Sequence, residues 1–241
     1  MSTAINVKDV SKEFNLHHTP YRTLKQRFVG IWSTRNRMTS ERLEVLKNIS
    51  FNLEKGESLA LLGHNGSGKS TLMQLLAGVM SPTSGSVYVN GRIAPLIELG
   101  VGFHPELTGQ ENIYLNASLY GLSNKETRAI YSEIVEFSGL GKFIDTPVKH
   151  YSSGMYMRLG FSVAVHVRPS ILLADEILAV GDAEFQQKCF DRIRLMQNEG
   201  MSLILVTHND HQAKQFCRRY MKLDHGKIVD EGLFEVDENR G

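Results

Sequence analysis

The stretch Gly63-His64-Asn65-Gly66-Ser67-Gly68-Lys69-Ser70 stands between an apolar run, Ser58-Leu59-Ala60-Leu61-Leu62, and a segment with an apolar stripe, Thr71-Leu72-Met73-Gln74-Leu75-Leu76-Ala77. The first run reads as a short buried strand and the second as a helix. Strand, glycine loop and helix, in that order, is the setting in which G-x-x-x-x-G-K-S binds phosphate instead of merely turning the chain. The glycines let successive backbone N–H groups close on an anion where a Cβ would obstruct the approach, and the helix N-terminus adds the positive end of its dipole. Lys69 is placed for the β- and γ-phosphates of a nucleotide, Ser70 for Mg²⁺ and Thr71 for the α-phosphate. The whole loop, with His64, Asn65 and Ser67, is expected to line the nucleotide.

Over 241 residues, 27 Lys and Arg balance 26 Asp and Glu, and 41% of the chain is apolar. This predicts one well-cored α/β domain and argues against a general nucleic-acid binder. No run approaches the roughly 18 apolar residues that a membrane helix needs. The start, Met1-Ser2-Thr3-Ala4, lacks a charged segment followed by an apolar one, so neither secretion nor a membrane span is expected. Cys189 and Cys217 have no metal-ligand spacing and fall in helical patterns, which predicts free thiols in a reducing cytoplasm.

A second buried strand, Ser170-Ile171-Leu172-Leu173-Ala174-Asp175-Glu176, ends in two carboxylates. Alone, such a pair is more often a strand cap; beside a phosphate loop it becomes the machinery of nucleotide hydrolysis. Asp175 is suited to hold Mg²⁺ through water, and Glu176, on the opposite side, to polarise the attacking water. A third strand, Ser202-Leu203-Ile204-Leu205-Val206, leads into Thr207-His208, which puts His208 at a strand end, where α/β folds place ligands.

Between these strands, Tyr151-Ser152-Ser153-Gly154-Met155 precedes a helix read as Tyr156 to Val167, at the position where ATP-binding cassettes carry a signature, usually Leu-Ser-Gly-Gly-Gln. The chain resembles an ABC transporter nucleotide-binding domain from Ile5 to about Gly232. The resemblance implies an α/β phosphate-loop ATPase with a RecA-like parallel-sheet core, an antiparallel β subdomain and a helical signature subdomain, all within a single domain, 1–241. It implies ATP and Mg²⁺ as cofactors and a head-to-tail dimer. In that dimer Ser152, Ser153 and Gly154 of one copy reach the nucleotide of the other, where a hydroxyl, an amide and a helix N-terminus suit a γ-phosphate. His208 matches the histidine switch, Asp182 closes the dimer-contact segment Ala179-Val180-Gly181-Asp182, and Phe14 takes the place of the adenine-stacking aromatic; a core phenylalanine is the competing account.

The Tyr-Ser-Ser-Gly-Met form looks like that of polysaccharide-exporter ATPases. So does the segment Phe103-His104-Pro105-Glu106-Leu107-Thr108-Gly109, which is similar to that of O-antigen, teichoic-acid and galactan exporters. His104 and Glu106 are too few for a metal site, and a coupling surface for a membrane partner fits them better. No glutamine occupies the expected glutamine-loop position; Glu98 is the candidate replacement and metal-side residue, and a gapless count reaches Leu99. The coupling loop, helical subdomain and signature helix are expected over about 98–168, with helices at Asn112–Tyr120, Asn124–Phe137 and Lys142–Ile144.

Residues 17–43 form an expected insertion between strands Ile5–Val10 and Val45–Leu53. Arg22, Lys25, Arg27, Arg35, Arg37 and Arg42 face a single acid, Glu41, with Tyr21, Phe28, Ile31 and Trp32 as apolar anchors. Such a segment suits a membrane surface, a lipid-linked phosphate or a permease helix, and a solvated loop is the plain alternative. Resemblance and residues together predict the ATPase of a lipid-linked polysaccharide exporter, peripheral on the cytoplasmic face of its membrane, working with a second copy of itself and a transmembrane permease and with no nucleic acid. A teichoic-acid, capsule, galactan or other lipid cargo is the near alternative, and a soluble, non-transport cassette ATPase the distant one. Nine residues follow Gly232, so no carbohydrate-binding domain is expected.

Overall fold

The computed structural model describes residues 2–17, 40–96, 100, 102–175 and 181–235. Glu98, Glu176 and most of the 17–43 segment therefore lie outside the described residues. The strands are β1 (Thr3–His17), β2 (Ser40–Glu54), β3 (Ser58–Leu62), β4 (Ser84–Val89), β5 (Ile93–Pro95), β6 (Ile171–Asp175), β7 (Ser202–Val206), β8 (Arg219–Asp224) and β9 (Lys227–Leu233). The helices are α1 (Lys69–Leu76), α2 (Gly109–Leu119), α3 (Asn124–Ser138), α4 (Ser153–His166), α5 (Ala183–Asn198) and α6 (Asp210–Phe216).

Two sheets form. One is antiparallel, in the order β2-β1-β4; the other runs β5-β6-β7-β3-β8-β9 and is parallel except for β9. The central strands β3, β6 and β7 are apolar at nearly every position because both faces are covered, whereas β8 carries Arg219, Lys222 and Asp224. Successive residues accordingly feed different cores. Leu59, Leu61, Ile171, Leu173, Ile204 and Val206 join α1 and the antiparallel sheet, whereas Ala60, Leu172, Ala174, Leu203 and Leu205 join α4, α5 and α6. A third core, around Ile113, Ile134, Leu159 and Val163, belongs to α2, α3 and α4. Two capping boxes start its helices: Thr108 with Glu111, and Ser123 with Glu126.

The expected first strands are shorter than the observed ones. β1 and β2 continue their antiparallel ladder through Phe14↔Leu43 to His17↔Ser40, so the outer residues of the expected insertion are paired backbone. Their polar sequence hides this, since the ladder is held by main-chain bonds that need no apolar alternation. β4 and β5 had no counterpart in the sequence reading; β4 is largely exposed and β5 has only three residues. Both cysteines are free and buried, and burial pushes the Cys189 thiol up to about 12. Among the described residues no helix is long and apolar enough to cross a membrane.

Candidate functional site

The phosphate loop leaves β3 and enters α1 through three glycines with φ of 143° (Gly63), 83° (Gly66) and 107° (Gly68), a region costly for any residue with a Cβ. Two of them are also crowded. A Cβ at Gly63 would lie 2.3 Å from the Leu223 carbonyl oxygen, and one at Gly68 would lie 2.7 Å from Leu46 Cδ2. Gly68 is the N-cap of α1 and brings no side chain to the first-turn N–H groups, which leaves them for an anion. Lys69, 8% exposed, folds its Nζ back to donate to the carbonyls of Gly63 (2.7 Å) and His64 (2.9 Å). Among the described residues the buried Ser67 Oγ has no hydrogen-bond partner. An orphaned hydroxyl, a cation resting on loop carbonyls and uncapped amides make a cradle that fits a nucleotide phosphate chain.

Strand register explains how distant residues reach this cradle. Asp175 pairs with Val206, and Val206 pairs with Leu61, one residue before the end of β3, so the carboxylate and the loop share the C-terminal edge of the parallel strands. Asp175, Lys69, Ser70, Thr71, Asn65 and Val45 line one cavity of about 360 Å³. His208 lines a different cavity, of about 400 Å³, with Gly63 and His64. Phe14 is 37% exposed on β1, has the Lys12 ammonium 5.3 Å above its ring, and pairs with Leu43, two residues from cavity-lining Val45. Its exposure corrects the competing account of a core phenylalanine.

The signature is placed differently from the expectation. Ser152 is the N-cap, its Oγ accepting from Met155 N–H, so Ser153, Gly154 and Met155 form the first turn of α4 instead of preceding it. The sequence reading also missed two side chains that anchor this helix. Tyr156 Oη donates to the Gly100 carbonyl at 2.8 Å, and its ring meets Phe103 edge-on at 5.1 Å. Arg158 binds Asp182 at 2.6 Å and lies over the Phe185 ring. Asp182 in turn N-caps α5, and the Phe185 N–H, with Arg158, holds its carboxyl below the usual range. The signature helix is thus tied on one side to Gly100 and on the other to Asp182. Replacing Tyr156 by Phe should cost about 0.5–1.5 kcal/mol of stability in denaturant unfolding, the worth of one hydrogen bond; an unchanged midpoint would mean that the tie carries nothing.

A family model described as ABC transporter matches residues 46–179, the span from β2 past the acidic strand end. The chain belongs to the ABC transporter family. It is an ATPase of that family, in keeping with its phosphate loop and Asp175. The cassette is 44% identical over 235 residues to the O-antigen export system ATP-binding protein RfbB of Klebsiella pneumoniae, covering 98% of this chain and 96% of that one. It is 38% identical over 228 residues to the teichoic acids export ATP-binding protein TagH of Listeria monocytogenes, covering 95% of this chain and 66% of the relative. A solved structure of the cassette MJ0796, a dimer bound to ADP and Pi, superposes with a TM-score of 0.74 at 23% identity, covering 96% and 99% of the two chains; it shares the fold. The α/β architecture expected from the sequence is therefore the observed one.

Proposed function

We propose that the cassette powers export of a lipid-linked polysaccharide of the O-antigen type across the cytoplasmic membrane. The observation that carries this is the 44% identity over nearly the whole of both chains, because it extends well beyond residues 46–179, where the general family matches. The 38% identity to the teichoic-acid export protein supports a second reading in which the glycan is a teichoic acid, with capsule, galactan and other lipid cargoes in the same class.

The loop residues Gly63 to Thr71 bind the phosphates of ATP. Ser70 and, through water, Asp175 hold Mg²⁺, which offsets charge on the β- and γ-phosphates. Glu176 polarises the attacking water, His208 contacts the γ-phosphate, Phe14 stacks on adenine, and Glu98 takes the glutamine-loop place. Ser152 and Ser153 are exposed and Gly154 is half-buried, and none of them lines the phosphate cavity. A second copy, packed head to tail, supplies those three residues to the nucleotide, and the dimeric state of MJ0796 supports this. A transmembrane permease converts closure and opening of the dimer into transport, with the cassette peripheral on the cytoplasmic face.

In cells deleted for the cassette, surface polysaccharide should vanish and lipid-linked glycan should accumulate inside; normal surface glycan would overturn the proposal. The basic segment 17–43 is assigned to coupling. Serine at Arg22, Lys25, Arg27, Arg35 and Arg37 together should reduce export while phosphate release by the purified protein stays near wild type. Each basic residue near an anionic surface is worth about 1 kcal/mol. Intact export in that variant would return the segment to a solvated loop.

A further inference from the structure

The phosphate loop rests on the turn between β8 and β9. Gly226 N–H donates to the Ser67 carbonyl at 3.0 Å, and the Leu223 carbonyl lies where a Gly63 Cβ would be. At this seam His64, from the loop, meets Asp224 and His225, from the turn, and one donor atom from each lies within 4.8 Å of the other two. His64 Nε2 is 2.7 Å from Asp224 Oδ1, His225 Nε2 is 3.7 Å from the same oxygen, and the two rings stand edge to face with centroids 5.3 Å apart.

The other nitrogen of His64 decides what this cluster requires. Nδ1 lies 2.7 Å from the Asn65 carbonyl, which can only accept, so Nδ1 carries the proton. In the neutral ring Nε2 is then a bare lone pair facing a carboxylate oxygen, and two acceptors at 2.7 Å need a cation between them. A proton fits between them at 2.7 Å; a metal would take the same two atoms as ligands once they move apart to the spacing its bonds require. An imidazole fixed through Nδ1–H to a backbone carbonyl, with Nε2 free, is the usual arrangement of a metal-bound histidine. Donors about 2.0–2.2 Å from a tetrahedral ion lie roughly 3.3–3.6 Å apart; the 3.7 Å His225–Asp224 pair is close to this, and the 2.7 Å His64–Asp224 pair has to widen to reach it.

We propose that His64, Asp224 and His225 form a binding site for a borderline divalent metal such as Zn²⁺, separate from the nucleotide's Mg²⁺, and that the bound ion cross-links the phosphate loop to the β8–β9 turn. Two imidazoles and one carboxylate favour Zn²⁺, Co²⁺ or Ni²⁺ over Mg²⁺, which prefers oxygen ligands. The side chains are 52%, 43% and 82% exposed, so the ion keeps a water-filled position and exchanges readily, as in an open site and unlike a closed structural one. Because the ion binds the folded seam only, it stabilises the nucleotide-free protein by mass action.

The test titrates Zn²⁺ and Co²⁺ into the nucleotide-free full chain by calorimetry, with hydrogen exchange of the loop amides as a second readout. Asp224→Asn and His225→Asn are the informative variants; Asn tolerates the positive φ of 47° at position 225, which limits misfolding. Each should weaken Zn²⁺ binding by roughly tenfold to a hundredfold, at least the scale seen when a metal site's supporting partners are removed. Zn²⁺ should slow exchange at residues 64–67 in wild type and not in either variant. His150→Ala, and His17→Ala with His18→Ala, are controls that should bind as wild type does. Affinity unchanged in Asp224→Asn and His225→Asn, or binding lost in the histidine controls instead, would overturn the site, as would the absence of stoichiometric binding to wild type.

Discussion

Glu176→Gln is expected to lower steady-state ATP turnover by about 10² to 10⁴ while ATP binding survives. Glu176 follows directly on Asp175, the last residue of β6, which lines the phosphate cavity with Lys69 and Ser70. Glutamine keeps the size of the side chain and loses only the charge proposed to polarise water, so chemistry should fail and assembly should not. ATP should then trap the closed dimer, visible as a nucleotide-dependent shift in size-exclusion mass. Two outcomes would assign the catalytic base elsewhere: turnover above about a tenth of wild type, or loss of ATP binding along with turnover.

Why that acidic strand end was legible, and other parts of the site were not, follows from how far each signal reaches along the chain. The phosphate loop is local: eight consecutive residues, a strand before and a helix after, and the structure bends the loop at Gly63, Gly66 and Gly68. β3 and β7 match their expected limits because continuous apolar runs have sharp ends. Register then carries Asp175 to the loop, and parallel α/β topology makes that pairing a reasonable expectation. The Tyr156–Gly100, Arg158–Asp182 and His64–Asp224 contacts join residues 56, 24 and 160 positions apart, and no periodicity encodes them. Gly100 illustrates the limit. Its φ of 81° suggests a turn, but a Cβ there would lie 2.1 Å from the Tyr156 ring, a constraint visible only once α4 is in place. The start of α4 differs from the expected Tyr156 because the Ser152–Met155 bond caps the helix at Ser152, so that Ser153, Gly154 and Met155 form its first turn.

Lys69→Ala should weaken ATP binding by about tenfold to a hundredfold, the equivalent of losing a hydrogen bond to a charged partner, and should depress turnover further. In the loop the ammonium bridges the carbonyls of Gly63 and His64. On the proposed role, bound ATP would exchange those two neutral acceptors for phosphate oxygens, and charge-assisted bonds are the stronger ones. Alanine removes both states of the lysine, so two measurements separate its roles. Without nucleotide, loss of the carbonyl bridge should lower the unfolding midpoint modestly, since Gly63 is still packed against Leu223 and Ser67 still accepts from Gly226. With nucleotide, wild type gains about 2.7 kcal/mol at a ligand concentration one hundred times its Kd, and the variant at that same concentration should gain far less. A variant that loses the first increment but keeps the second would make Lys69 a strut of the loop and nothing more. Full retention of ATP affinity would reduce the glycine loop itself to a turn between β3 and α1.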